Sequence, residues 1–271
     1  MEAKDFYDTL GEDYDRMVSW EGRLAREDAF FRGLFDEHGV RRVLDAACGT
    51  GMHAIAFARQ GRSAEGADLS PVMVDHARRN AAAAGVTVTF TVAGFGDLAA
   101  RLGGPFDAVT CLGNSLPHLP DDASLDAAFR DFARALRPGG LLVIQNRNYD
   151  RVLRERSRFM PVAARTDDEG ETLFLRITDF PGPIASAPAS GATAADARSE
   201  ESIAFTIVTL KKRAGSWSQS TRTTPLRALR RATLERAARD AGFTDVRLFG
   251  SYDRAAFDAP GTGDLILTAT R

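Results

Sequence analysis

A glycine-rich turn between two carboxylates is the part of this chain best suited to hold a charged small molecule. The segment from Asp45 to Gly51 (DAACGTG) follows an apolar run and precedes a helical pattern. Glycines in such a turn remove Cβ atoms, so the backbone can bend sharply and approach a ligand closely. Asp68 ends the next apolar run, where its carboxylate can accept hydrogen bonds from both hydroxyls of a ribose. These residues predict a nucleoside site.

Two ligands fit this turn. The pattern Gly49-x-Gly51-x-x-Ala54 with a later acid is typical of a nicotinamide dinucleotide site. Asp45 opposes that ligand, because its carboxylate would repel a pyrophosphate at the start of the following helix. S-adenosylmethionine has no phosphate and carries an ammonium and a sulfonium, which a neighbouring carboxylate attracts. The residues therefore favour S-adenosylmethionine, with a dinucleotide as the alternative.

A parallel sheet must position this turn, and the pattern of the first 150 residues predicts one. Apolar runs predict strands at 42–47, 63–67, 86–92, 106–112 and 141–145, and helical patterns predict helices at 52–60, 71–84 and 124–136. Ser70 and Pro71 mark the start of one helix and Gly85 its end. This alternation predicts βαβ units with helices on both faces of the sheet. Ligands bind such sheets at the carboxyl ends of the strands, where the glycine-rich turn lies.

The alternation stops after Asn148. Extended runs at 172–180 and 202–212 flank a Pro-, Ala-, Ser- and Gly-rich stretch at 181–195, which predicts a mobile loop. A helical pattern at 226–241, stopped by Gly242, precedes two predicted strands at 246–251 and 264–270. The predicted fold class is thus α/β, a Rossmann-like doubly wound and mostly parallel sheet. An antiparallel β insertion follows its fifth strand, and a C-terminal helix plus hairpin completes it.

Three parts follow from this organisation. Residues 1–150 are expected to form the nucleoside-binding core with an N-terminal lid, and 151–225 a β-rich insertion that acts as a substrate lid. Residues 226–271 are expected to close the core with a helix and strands.

Composition excludes several classes of protein. The net charge of −2 argues against a nucleic-acid partner, which needs a basic surface. Cys48 and Cys111 are too few for a disulfide framework and are expected to be reduced. No apolar segment suggests a signal peptide or membrane partner, so we expect a cytoplasmic protein acting on a small molecule. No metal ligands are predicted, and the sequence leaves the oligomeric state open.

Several motifs resemble those of known enzymes. The runs Val43–Gly51 (VLDAACGTG) and Asp68-x-Ser70-x-x-Met73 resemble the first two motifs of class I S-adenosylmethionine-dependent methyltransferases. Three further segments, WEGR at 20–23, CLGNSLPHLP at 111–120 and RPGGLLVIQNRNYD at 137–150, resemble glycine N-methyltransferase and the bacterial glycine/sarcosine N-methyltransferases. The resemblance covers residues 5–155 and is poor beyond them.

The resemblance implies a set of cofactor contacts. Ala47 and Gly49 would line the methionine portion, Asp68 would hold the ribose, and Met73 would pack on the adenine. Arg23 would bind the cofactor carboxylate. The complete set comprises Tyr14, Arg23, Asp45, Ala47, Gly49, Gly51, Asp68, Leu69, Met73, Phe95, Leu112 and His118.

Asn114 and Arg147 follow the fourth and fifth predicted strands, so both should lie at the rim that carries the cofactor. An arginine binds a carboxylate through two parallel charge-assisted hydrogen bonds, and an amide adds a donor. The resemblance implies that this pair holds the carboxylate of an amino-acid substrate, with Tyr7 as a further positioning group. The alternative is that Arg147 merely pairs with Asp150 on the surface.

The chain departs from the family at two places. Gly94-Phe95 stands where the family has an acid or amide followed by Trp, so Asp97 is the remaining acceptor for the adenine amino group. The substrate-site tyrosines of the family's insertion have no counterparts, and Lys211-Lys212 and Thr223-Thr224 stand near those positions. These departures leave room for an amine larger than glycine.

The sequence therefore predicts an S-adenosylmethionine-dependent N-methyltransferase that acts on a small, carboxylate-bearing amine such as glycine or sarcosine. Methyl transfer needs mainly collinear positioning of the amine, which can lower a barrier by roughly 7–11 kcal/mol, so no catalytic base is predicted. The alternatives are an amino sugar or other natural-product intermediate as acceptor, a nicotinamide-dependent oxidoreductase, a nucleic-acid methyltransferase, and a domain that binds the cofactor without turnover.

Overall fold

The computed structural model describes residues 1–11, 13–168, 170–180 and 202–271. The described strands are β1 (Arg42–Ala46), β2 (Ser63–Asp68), β3 (Thr89–Val92), β4 (Phe106–Cys111), β5 (Leu136–Arg147), β6 (Ala163–Asp167), β7 (Gly170–Asp179), β8 (Ser202–Arg213), β9 (Ser216–Arg227), β10 (Thr244–Phe249) and β11 (Asp264–Thr270). The described helices are α1 (Ala3–Leu10), α2 (Asp13–Met17), α3 (Trp20–Glu37), α4 (Met52–Arg59), α5 (Pro71–Ala83), α6 (Leu98–Leu102), α7 (Asp122–Ala135), α8 (Tyr149–Glu155) and α9 (Arg231–Asp240).

Seven strands form the central sheet, in the order β10-β11-β5-β4-β1-β2-β3. Strands β1 to β5 are parallel, whereas β11 runs antiparallel to β5 and β10 antiparallel to β11. The chain leaves β1 toward β2 on one side and later returns to β4 on the other side. This reversal beside β1 creates the crevice at which doubly wound sheets bind ligands. The predicted fold class is confirmed.

Both faces of the sheet are covered by helices, which explains why its strands are almost continuously apolar. On one face, α7 and α9 pack Phe129, Phe132 and Leu234 against strand residues such as Leu44. On the other, α3, α4 and α5 contribute a second cluster that contains Phe31. Burial of each of these side chains stabilises the fold by about 1.5–3 kcal/mol.

The predicted start of α5 is confirmed in detail. The Ser70 hydroxyl accepts a hydrogen bond from the backbone N–H of Met73 at 3.0 Å, and Pro71 occupies the first helical position. This cap satisfies an N–H group that the helix itself leaves unpaired. It also fixes the chain immediately after Asp68, which is the end of β2.

A second, antiparallel sheet with the order β6-β7-β8-β9 follows β5 and α8. The extended runs predicted at 172–180 and 202–212 are confirmed as β7 and β8, whereas β6 and β9 were missed. The helix predicted from residue 226 is wrong over its first turn, because β9 continues to Arg227 and α9 begins at Arg231. Leu226 and Leu229 are buried there although they are not helical. Their spacing resembles that of an apolar helical face, which is why a helix was predicted. The loop predicted at 181–195 lies outside the described residues.

The N-terminal segment joins the two sheets. Asp15 accepts hydrogen bonds from Trp20 Nε1 at 2.8 Å and from Asn80 Nδ2 at 2.9 Å, which attaches the segment to the central sheet and its helices. Asp13 forms an ion pair with Lys211 of β8 at 2.8 Å. The segment is therefore held from both sides. Within the described ranges, no helix combines the length and apolar character that a bilayer crossing requires.

Candidate active site

Three loops meet at the carboxyl ends of β1, β4 and β5. The glycine-rich turn follows β1, the LGNS segment follows β4, and Asn148 follows β5. The β4 loop is attached to β5, because Gly113 N–H donates to Gln145 Oε1 at 2.8 Å and Asn114 N–H donates to the Gln145 carbonyl at 3.1 Å. The parallel register therefore places all three motifs at one rim, as the sequence predicted.

The turn after β1 has an uncommon backbone conformation. Ala47 has a φ of 57°, and Gly51 has a φ of 84°. A non-glycine residue in this region stores strain, which proteins concentrate at functional sites. A Cβ added to Gly51 would lie 2.8 Å from Phe90 Cζ and 2.9 Å from Ala77 Cβ. Close packing of α4 and β3 therefore requires a glycine at position 51.

Asp68 is bound to the same turn. Its Oδ2 accepts a hydrogen bond from Gly49 N–H at 2.8 Å, and its Oδ1 accepts one from Ser70 N–H at 2.9 Å. Burial nevertheless raises the pKa of Asp68 to about 6. Each carboxylate oxygen has a second lone pair that can accept a further donor. Asp68 is thus a fixed acceptor pair for two neighbouring hydroxyls.

A cavity of about 240 Å³ lies over Asp68. Nine of the predicted cofactor residues line it: Tyr14, Ala47, Gly49, Asp68, Leu69, Met73, Phe95, Leu112 and His118. Its lining is mostly apolar, and Phe95 is supported edge-on by Phe132 at a centroid distance of 5.7 Å. This composition suits an aromatic base next to a ribose. Asp97 is not among the lining residues, and its nearest ionic partner is Arg101 at 3.9 Å.

A larger cavity of about 590 Å³ joins the first. Tyr7, Tyr14, Gly113 and His118 line both cavities, so these residues mark the junction. The three predicted positioning residues Tyr7, Asn114 and Arg147 all line the larger cavity. The structure therefore brings them together beside the smaller cavity.

Arg23 also lines the larger cavity and is held by a buried network. Its Nε donates to Glu27 Oε1 at 2.8 Å, and the other oxygen of Glu27 lies 2.7 Å from His53 Nε2. Burial acts to raise the pKa of Glu27, but the hydrogen bond with His53 and the charge of Arg23 lower it to about 2. Glu27 therefore fixes Arg23 as a cation next to the junction.

Asn114 connects to two residues of the site. Its Oδ1 accepts a hydrogen bond from Arg147 N–H at 3.0 Å, and its Nδ2 donates to the Tyr149 hydroxyl at 2.9 Å. One amide N–H then remains to face a ligand. Arg147 Nη1 is buried without a hydrogen-bond partner in the described structure. A buried guanidinium nitrogen without a partner is costly. A ligand bound in the larger cavity can supply the missing acceptor.

Tyr7 and His118 meet at the junction, with Tyr7 Oη 3.1 Å from His118 Nε2. Burial lowers the pKa of His118 to about 4 and raises that of Tyr7 well above its ordinary value. Both side chains are consequently neutral near pH 7 and act as dipoles rather than as charges.

Two predicted cofactor residues lie elsewhere. Neither Asp45 nor Gly51 lines either cavity in the described part of the chain. Asp45 is buried beneath the turn, where its Oδ1 accepts a hydrogen bond from Thr110 Oγ1 at 2.9 Å and burial raises its pKa. Gly51 faces Phe90 instead of the ligand space. Both residues shape the turn from outside the two cavities.

Sequence reasoning missed several residues of the larger cavity, chiefly Tyr252, Arg165 and Arg176. The small number of tyrosines could have indicated Tyr252, because all four tyrosines of the chain lie at or beside the site. No spacing rule would have placed the two arginines, since they come from the insertion sheet. Among the residues whose positions are given, no cluster of His, Cys, Asp and Glu could hold a metal ion.

Part of the chain is similar to known methyltransferases. Residues 43–140 match the family model described as a methyltransferase domain. The glycine/sarcosine N-methyltransferase of Parasynechococcus marenigrum is 37% identical over 150 residues, which cover 55% of this chain and 53% of that protein. The chain thus spans about half the length of the curated relatives that it matches.

Solved structures match nearly the whole chain at lower identity. An S-adenosylmethionine-dependent methyltransferase from Clostridium acetobutylicum has a TM-score of 0.74 and 15% identity, covering 97% of this chain and 98% of the other. The sugar N-methyltransferase KedS8 from Streptoalloteichus has a TM-score of 0.71 and 24% identity, covering 97% and 94%. At these identities the likeness establishes the fold.

Proposed function

We propose, from the premise that residues 43–140 form an S-adenosylmethionine-dependent methyltransferase domain, that this chain methylates the amino group of a small, carboxylate-bearing compound. The observation that carries the proposal is the position of Arg147. Arg147 lines the larger cavity next to its junction with the smaller one, and its buried Nη1 has no hydrogen-bond partner in the described structure.

The residues of the smaller cavity fit S-adenosylmethionine. Asp68 offers two acceptors to the ribose hydroxyls, and Met73 and Phe95 provide apolar surface for the adenine. At the junction, Arg23 would hold the carboxylate of the methionine portion. The cofactor supplies an electrophilic methyl group on a sulfonium, and the C–S electron pair stays on sulfur when the methyl group leaves.

Arg147 and Asn114 position the acceptor. The guanidinium binds the acceptor carboxylate through charge-assisted hydrogen bonds, and the free amide N–H of Asn114 supplies a further donor. Because both residues lie at the strand ends next to the junction, the bound amine is directed toward the smaller cavity. This orientation is the main contribution of the protein to the rate.

No residue acts as a strong base in this mechanism. Tyr7 and Tyr14 have pKa values raised by burial, and burial keeps His118 neutral. The amine binds in its neutral form, its lone pair forms the new N–C bond, and the surplus proton leaves to water afterwards. Tyr7 and His118 hold the amine and exclude solvent at the junction.

An amino sugar is the second candidate acceptor. The larger cavity, at about 590 Å³, exceeds what glycine requires, and the sequence has no tyrosine in the insertion to narrow it. A sugar without an acid would leave Arg147 unpaired, and for this reason the carboxylate-bearing amine is preferred.

A methyl-transfer assay tests the proposal. Purified protein is incubated with methyl-labelled S-adenosylmethionine and glycine, sarcosine, larger amino acids or amino sugars, and calorimetry measures the binding of S-adenosylhomocysteine and NAD(H). We expect S-adenosylhomocysteine to bind, NAD(H) not to bind, and an amino acid to be methylated. If only amino sugars are methylated, the acceptor is an amino sugar and not an amino acid. If no amine is methylated, the chain binds the cofactor without catalysing transfer.

A further inference from the structure

The larger cavity has a cationic wall that consists of Arg147, Arg165 and Arg176. Arg147 ends β5 of the central sheet, whereas Arg165 and Arg176 lie on the adjacent strands β6 and β7 of the insertion sheet. The two sheets therefore present arginines to the same space. One carboxylate requires one guanidinium, so this wall exceeds the needs of a glycine-like acceptor.

No described residue neutralises the cationic wall. Among residues 1–11, 13–168, 170–180 and 202–271, no carboxylate forms an ion pair with any of its three arginines. Arg176 Nη2 donates to the Pro161 carbonyl at 3.1 Å, but its Nε is buried without a partner, like Nη1 of Arg147. Buried cationic nitrogens without acceptors are costly, and proteins retain them where a ligand supplies the anion.

The charges of Arg147 and Arg176 also act on each other. Burial and the charge of Arg147 together lower the pKa of Arg176. Two like charges that share a cavity repel each other and destabilise the ligand-free protein. A bound anion relieves this repulsion. A ligand with one carboxylate compensates one of them, whereas a second acid group compensates both.

Each acid that lines the same cavity has a partner outside the cationic wall. Glu27 is paired with Arg23 and His53. Asp264 is the strand-register partner of Arg147, yet its carboxylate accepts a hydrogen bond from Gln145 Nε2 at 3.0 Å. Neither acid forms an ion pair with the cationic wall. The positive charge of the wall therefore remains available to a ligand.

We propose that the acceptor carries two anionic groups, one bound by Arg147 beside Asn114 and the other by Arg176 across the cavity. This inference rests on the proposed function and narrows its substrate class to an amino acid with a second carboxylate or a phosphate. Arg165 lies on the neighbouring strand and adds long-range attraction. Small neighbours such as Ala163 leave the space that the second group needs.

Calorimetry on the protein saturated with S-adenosylhomocysteine separates this inference from the activity itself. The probes are L-aspartate, L-glutamate and O-phospho-L-serine, each compared with its neutral analogue L-asparagine, L-glutamine or L-serine. We expect at least one dianionic probe to bind about tenfold or more tightly than its analogue, with a stronger dependence on salt. Preference for a carboxylate or for the phosphate identifies the second group.

Variants assign the effect to Arg176. Arg176→Gln should weaken the preferred dianionic probe at least tenfold and change glycine binding less than twofold, while Arg176→Lys should restore part of the loss. Arg32→Gln, which removes an exposed charge on α3, is the control for net charge and should change neither.

The outcomes are distinct. Equal affinity for every dianionic probe and its neutral analogue overturns the inference, even if glycine or another simple amino acid is methylated. An equal loss of glycine and dianion binding in Arg176→Gln also overturns it, because the arginine would then be structural. Failure to bind S-adenosylhomocysteine would instead overturn the proposed function.

Discussion

Asn114 fixes the backbone of Arg147, because Asn114 Oδ1 accepts the Arg147 N–H at 3.0 Å. Asn114 lies in the loop after β4 and Arg147 ends the neighbouring parallel strand β5, so this bond joins the loop to the strand end. It sets the point from which the guanidinium extends into the larger cavity. The position of the anion-binding group thus depends on a residue that lies 33 positions earlier in the chain.

Removal of the Asn114 side chain should therefore impair acceptor binding specifically. Asn114 has a φ of 68°, so Asn114→Gly deletes the amide without straining the backbone. We expect the KM for the acceptor to rise about tenfold or more, as for the loss of a charge-assisted hydrogen bond. The affinity for S-adenosylhomocysteine should change less than twofold. Steady-state kinetics and calorimetry measure the two quantities.

Tyr149→Phe is the matched control, because it removes only the hydroxyl that accepts from Asn114 Nδ2. Its effect on KM should be smaller than that of Asn114→Gly. A parallel loss of cofactor affinity in Asn114→Gly would show that the residue supports the whole rim rather than Arg147.

Asp68 should make cofactor binding depend on pH. Its pKa of about 6 means that the carboxylate is ionised above pH 6 and increasingly protonated below it. Ribose hydroxyls donate to the ionised form, so affinity for S-adenosylhomocysteine should fall by up to about tenfold per pH unit below 6. Asp68→Asn should bind at least about tenfold more weakly at pH 7.5 and show a flat profile. A profile that the variant shares with the wild type would assign the titration to another group.

His118 should reduce stability in mild acid. Its pKa is about 4 in the folded protein, against an ordinary value of 6.5. Between these two pH values the unfolded chain is protonated at His118, whereas the folded chain is not. The contribution of neutral His118 is present above pH 6.5 and is lost as the pH falls toward 4. From pH 7.5 to 5, we expect the wild type to lose about 1–2 kcal/mol more unfolding free energy than His118→Asn.

The two proteins must be compared by denaturant unfolding at each pH, because Asp68 acts in the opposite direction. Its pKa is raised on folding, so its contribution is lost as the pH rises through about 6. The difference between wild type and His118→Asn cancels that effect. Equal slopes for both proteins would show that His118 titrates normally.

Gly51 should be irreplaceable for a packing reason. In Gly51→Ala the added Cβ meets Phe90 and Ala77, and the φ of 84° adds backbone strain. Gly61 is the matched control, since its φ is 82° but nothing lies within 4 Å of an added Cβ. Gly61→Ala should cost about 1–2 kcal/mol of unfolding free energy, and Gly51→Ala at least about 1 kcal/mol more. Similar losses in the two variants would exclude the contact with Phe90.

The central sheet was predictable because its signals are local. Ser70 and Pro71 mark the start of α5, and continuous apolar runs predict strands that are buried on both faces. Since carboxyl ends of parallel strands share one rim, the positions of Asp68, Asn114 and Arg147 followed from the alternation alone. Residues 43–140 match a methyltransferase domain, as the glycine-rich turn and the resemblance predicted.

The insertion was less predictable because its strands are half exposed and polar. β9 reads Ser216–Arg227, and most of its side chains are at least partly exposed, so hydrophobic periodicity is weak. The arginines of β6 and β7 reach the cavity only through the docking of one sheet against the other. Such tertiary placement leaves no trace in residue spacing, and this is why Arg176 was not found.

The N-terminal segment that lines both cavities has a kinetic consequence. Tyr7 of α1 and Tyr14 of α2 line both spaces, so a movement of this segment opens both cavities at once. If spent cofactor is exchanged through such a movement, the acceptor is uncovered as well. If an amine receives more than one methyl group, it should dissociate between rounds, so that catalysis is distributive and the monomethylated compound accumulates in solution before the dimethylated one.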